Sequence, residues 1–118
     1  MDAHGGWAAT PADVLTFLFS VDGLDSPPDL LGAARRTAMT MASAVKPPSA
    51  TEAGYARGWS VNRAGTVRHG GTLPGTQAIP VCPSDERAWC AVCNTGRPGD
   101  QASQAEFDDL MWQVERAV

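Results

Sequence analysis

Apolar residues recur at two different periods along this chain. Val14, Phe17, Leu18 and Val21 fall at i, i+3, i+4 and i+7, one face of a helix. Thr10 can cap that helix, Pro11 suits its first position, and Asp13 favours the positive end of the dipole. Asp22 and Gly23 supply the stop. Ser26, Pro27, Pro28 and Asp29 open a second helix by the same chemistry. Leu30, Leu31, Ala34, Ala38 and Met41 line its inner side, and Arg35 and Arg36 face water. It ends before Pro47 and Pro48, because proline disfavours helix in the residue before it. The two helices occupy about residues 10–44, and 46–54 reads as a loop.

The pattern then shortens to strands. Residues 58–63 and 66–69 make two extended runs joined by a turn at Ala64 and Gly65, the second bending at Gly70 and Gly71. Residues 75–82 and 88–95 form a hairpin across 83–87. Pro80 offers no N–H to a ladder, so it implies an edge, a bulge or damage. Ser103 and Glu106 form a capping box for a last helix at about 103–117, with Phe107, Leu110, Met111, Val114 and Val118 as its apolar stripe. The fold class is α+β: an antiparallel sheet of three or four strands at about 55–95, with helices packed on it.

At 118 residues the chain has room for one domain with a single core. A net charge of -4 with eight scattered arginines and one lysine, Lys46, argues against nucleic-acid binding, which needs clustered cations. The longest apolar stretch, 14–21, is too short for a bilayer, and the first residues lack the charged start and apolar run of a signal peptide. As written, the product stays in the cytoplasm. Three cysteines do not suggest a disulfide framework. Cys90 and Cys93 spell C-x-x-C, but on a strand residues three apart point to opposite faces, so the pair shares no metal and closes no bridge. Buried structural thiols are the favoured reading over a redox or zinc site, and Cys82 and Cys90 can approach across the hairpin. No metal or cofactor is expected.

The remaining signal is a glycine-dense corner. Gly58 and Trp59 lead into one extended run, and His69, Gly70, Gly71, Thr72, Leu73, Pro74 and Gly75 follow the next. With Tyr55 before it and Asn94 closing the strand after it, the corner resembles the third active-site motif of serine β-lactamases and the related esterases and DD-peptidases, the penicillin-binding-protein-like hydrolases, in the form where His-x-Gly replaces Lys-Thr-Gly. The resemblance runs over about residues 5–118 and implies the C-terminal part of such a domain, without its nucleophile helix, helical subdomain and N-terminal strands. It implies that His69 sits beside the nucleophile, where a near-neutral pKa suits electrostatics and proton movement. It also implies that the Thr72 amide is one half of an oxyanion hole, with Gly70 and Gly71 letting substrate approach the main chain. A glycine-rich bend needed only for sheet twist is the alternative reading of the same residues. The last helix should lie flat on the sheet.

The other two family motifs are matched only in letters. Ser43 and Lys46 spell Ser-x-x-Lys, and Ser60 and Asn62 spell Ser-x-Asn. The family's nucleophile opens a buried helix, whose free amides and dipole hold the oxyanion. Ser43 closes a helix, with carbonyls nearby, and Ser60 and Asn62 follow Gly58 and Trp59 on a strand, so no nucleophile is credible and Ser43 is a decoy. The reading is a C-terminal segment of a β-lactamase-related serine hydrolase, inactive alone. The alternative is an interaction module whose incomplete sheet is completed by an N-terminal chain or by a second copy. A small thiol protein using Cys90 and Cys93 ranks below both. Family members are often exported, so a longer exported precursor stays open, as do the substrate and oligomeric state.

Overall fold

A computed structural model describes residues 8–24, 28–43, 52–84, 87–97 and 99–117. Its elements are α1 (Pro11–Phe19), α2 (Ala33–Thr40), β1 (Glu52–Tyr55), β2 (Ser60–Asn62), β3 (Val67–Arg68), β4 (Gly71–Leu73), β5 (Thr76–Cys82), β6 (Trp89–Cys93) and α3 (Gln101–Ala117). The fold is α+β with a partial antiparallel sheet, of six strands rather than three or four. Ser26, Lys46 and Val118 lie outside the described residues.

The described residues divide into two compact units. One runs up to His69 and includes Pro80–Cys90; the other holds Gly70–Ile79 and the residues from Ala91 onward. In the first, α1 begins as its sequence dictates. Thr10 Oγ1 accepts from the Asp13 N–H at 3.2 Å, while the Asp13 carboxylate accepts from the Thr10 N–H at 2.8 Å. The Thr10 hydroxyl also donates to the Asp13 carboxylate at 2.7 Å, and that bond first, then the one from the Thr10 N–H, holds the Asp13 carboxyl below its ordinary value. Leu18 is 1 % exposed in a core with Ala56, Trp59, Val61 and Val67, and Phe17 stacks on Trp59 at 6.4 Å between centroids.

The second helix departs from expectation at both ends. It starts at Ala33, with Gly32 rather than Ser26 as its N-cap, and Leu30 and Met41 are exposed rather than inward. The cause is Asp29. Its carboxylate accepts from the Gly23 N–H at 3.2 Å and pairs with Arg36, so it ties α2 to the end of α1 instead of opening a helix. Arg36 is therefore half-buried, not facing water, and a Cβ at Gly23 would meet its guanidinium at 2.8 Å.

Strand β1 lies partly where a loop was expected. It pairs with β2 (Tyr55↔Ser60, Gly54↔Val61, Glu52↔Asn62) with an irregularity beside Gly54, whose φ is 145°. The next turn is organised by Asn62: its Oδ1 accepts from the N–H groups of Ala64 and Thr66, both at 2.9 Å, and Gly65 takes φ 90°. The Asn62 side-chain carbonyl thus accepts twice within its own turn.

Both β3 and β4 pair with β5 in one register, β3 at Val81 and Cys82 and β4 at 76–78. Between them the His69 N–H donates to the Pro80 carbonyl at 3.2 Å. Proline has no N–H to return, so the ladder halts at His69 and Gly70. Pro80 thus sits in a strand that is paired rather than at a free edge, at the one place where its missing donor separates two neighbours. Val81, on the face opposite Cys82, is fully buried.

In the second unit, α3 starts at Gln101, two residues before the expected cap, because the Asp100 carboxylate accepts from the Ser103 N–H at 3.0 Å. Of its apolar stripe, Phe107 and Met111 are half-buried, and Leu110 and Val114 are 53 % and 47 % exposed.

Candidate active site

His69 is the last residue of the first unit and follows β3. It is exposed, its N–H is fixed on Pro80, and its Nδ1 lies 3.4 Å from the Tyr55 hydroxyl at the end of β1. The register Tyr55↔Ser60↔Arg68 puts Tyr55 in a row with the residue just before His69, where β3 ends. Tyr55 is in turn held by Ser43. The Ser43 N–H and hydroxyl both donate to the Tyr55 carbonyl, at 2.8 and 3.0 Å, across a two-residue bridge. Ser43 therefore spends its hydroxyl on a main-chain carbonyl, three residues past the last residue of α2.

Gly70, Gly71 and Thr72 open the second unit. Leu73 and Thr76 flank the two-residue turn of Pro74 and Gly75, so theirs is the hydrogen-bonded pair of the ladder, and the alternation of antiparallel pairing turns the Thr72 N–H away from β5. On that outer side no strand pairs with β4 among the described residues. The Thr72 hydroxyl accepts from Gln104 Nε2 of α3 at 2.8 Å, which anchors the strand and leaves the amide out of that contact.

The two glycines have no steric reason to be glycine. Neither Gly70 nor Gly71 takes a positive φ, and a Cβ on either would meet nothing within 4 Å among the described residues. Gly96, by contrast, is required, since its Cβ would lie 2.0 Å from the Thr76 carbonyl oxygen. Room beside the main chain at Gly70 and Gly71 is what a site needs for a substrate to reach backbone donors.

Against this geometry, the family model described as Beta-lactamase matches residues 1–110. The chain belongs to the Beta-lactamase family. Neither a curated protein nor a solved structure matches it. The matched residues include His69 and Thr72, and the match makes the chain β-lactamase-related, of hydrolase type.

Other chemistry in this family member is sparse. The three cysteines are free. Burial and then the Asp22 carboxylate push the Cys82 thiol up, burial pushes Cys90 up, and hydrogen bonding to Thr95, with Cys93 Sγ 2.9 Å from Thr95 Oγ1, pulls Cys93 down. No group of three or more His, Cys, Asp or Glu residues could hold a metal among the described residues. No helix among them is long and apolar enough to cross a membrane. A cavity of about 260 Å³ in the first unit is lined by Leu18, Met39, Trp59 and Cys82, among others, and not by His69. Sequence reasoning missed the Tyr55–His69 contact; its only signal was that Tyr55 stands before the Gly58 and Trp59 turn, and the partner becomes visible only with the strand register.

Proposed function

We propose that this Beta-lactamase family chain supplies the third active-site motif of a serine hydrolase and is not a catalyst by itself. His69 would act on the reacting group, and the Thr72 amide would donate to a developing oxyanion, with Gly70 and Gly71 giving substrate access. The observation that carries the reading is the state of Ser43: its hydroxyl donates to the Tyr55 carbonyl at 3.0 Å, and it lies three residues past the end of α2. A serine nucleophile needs a base and a set of free amides, and the carbonyl at Ser43 offers neither. Turnover of nitrocefin and of p-nitrophenyl esters by the purified chain, with Ser43→Ala and His69→Ala alongside, tests this. The expected rate equals buffer for all three; turnover lost in Ser43→Ala would overturn the proposal.

A second reading is favoured by the outer side of β4, which no described strand covers. An exposed edge of this kind accepts a strand from another chain. On this reading the partner is a chain carrying the N-terminal part of the same domain, or a second copy. Light scattering decides it, since a strictly monomeric, well-folded product would count against the reading.

A further inference from the structure

We propose that Tyr55 is a positioning residue that fixes the tautomer of His69, and that Ser43 serves the domain by anchoring Tyr55. The inference rests on the reading of His69 as a site residue only for its functional consequence; the geometry stands without it.

The contact is Tyr55 Oη to His69 Nδ1 at 3.4 Å. A neutral imidazole has one N–H and one lone-pair nitrogen, and the hydrogen bond made by one nitrogen decides which carries the proton. A phenol is a good O–H donor, and its oxygen is a weak acceptor because a lone pair is delocalised into the ring. The favourable arrangement therefore has the Tyr55 hydroxyl donating to Nδ1. The proton of neutral His69 then sits on Nε2, the nitrogen that Tyr55 does not engage. Such an imidazole presents an N–H donor and cannot take a proton at Nε2. In its neutral form His69 would accordingly hold an acceptor oxygen of the reacting group, and would not serve as general base there.

This requires a Tyr55 main chain that stays in place, and the fold holds it from two sides. Across one edge Tyr55 pairs with Ser60 of β2. Across the other, two donors of Ser43 converge on the Tyr55 carbonyl. The arrangement also gives the Ser43 hydroxyl a role that needs no nucleophilicity.

The test is nitrogen-15 NMR of the histidine rings in the full chain. It is done on a His4→Gln background so that His69 is the only imidazole, at a pH where the ring is neutral. The expected spectrum shows the Nε2–H tautomer, with Nδ1 displaced upfield as an accepting nitrogen. Tyr55→Phe should abolish that displacement while the amide spectrum stays folded. Ser43→Ala should weaken it, and Ser43→Thr, which keeps the hydroxyl, should restore it. A proton found on Nδ1, or ring shifts that Tyr55→Phe leaves unchanged, would overturn the inference. Because turnover plays no part in this readout, its failure is distinct from a failure of the functional proposal.

Discussion

If Gly71 is kept small for a substrate and not for the fold, adding a methyl group there should leave stability intact, whereas the same change at Gly96 should not. At Gly71 the backbone is extended and a Cβ meets nothing within 4 Å among the described residues. Gly71→Ala should then be neutral or stabilising by up to about 1 kcal/mol, since alanine restricts the unfolded chain and suits a strand better. At Gly96 a Cβ would stand 2.0 Å from the Thr76 carbonyl oxygen and 2.8 Å from that of Leu73, both main-chain atoms that cannot swing aside. Overpacking of flexible side chains already costs roughly 1–3 kcal/mol, so Gly96→Ala against fixed backbone should cost about 3 kcal/mol or more. The Gly75 N–H to Gly96 carbonyl bond of 3.0 Å sits at the same place and would be disturbed. Urea unfolding followed by tryptophan fluorescence measures both, as a shift in midpoint at constant slope. A Gly71→Ala loss comparable to that of Gly96→Ala would show that the glycine pair is a structural bend, and the argument for an open approach to the Thr72 amide would fail.

Leu18→Ala removes a side chain that is 1 % exposed at the centre of the first unit's core, and should cost about 2–5 kcal/mol in the same assay. Thr10→Ala removes the hydroxyl bond but keeps the backbone one, so it should raise the Asp13 carboxyl toward its ordinary value in an NMR titration. Because that carboxyl is depressed in the folded chain, its contribution is present above the ordinary aspartate pKa and lost as pH falls through the folded value, so the mutant's thermal stability should depend less on acid pH. Thiolate is the reactive form, so N-ethylmaleimide mapping against pH should label Cys93 first and Cys82 and Cys90 later. Since the half-buried Cys82 thiol is raised, its contribution to stability is present at neutral pH and falls away as pH rises past the ordinary thiol value.

What could be read from the residues and what could not divides along local and non-local chemistry. The start of α1 was legible because Thr10, Pro11 and Asp13 act within one turn. The start of α2 was not, because Asp29 looked like a helix opener but reaches Gly23 and Arg36 instead. Asp100 displaced Ser103 as the cap of α3 for a smaller reason: either residue can cap, and only the backbone path selects one. Strand β1 carries no clean alternation, and its bulge at Gly54 hides its register. At the candidate site, His69 was marked by its glycine-rich setting, whereas Tyr55 and Ser43 become its supports only after three strands are paired. Pro80 is the instructive middle case. Its missing donor was plain in the sequence, yet the consequence, a ladder broken at His69, depends on which residue lies opposite.

On the proposed reading, Ser43 is not an activated nucleophile. Intact-mass spectrometry of the purified chain after exposure to a fluorophosphonate and, separately, to a β-lactam tests it most directly. The expected result is an unchanged mass with both probes. A stoichiometric adduct that maps to Ser43 and disappears in Ser43→Ala would contradict it.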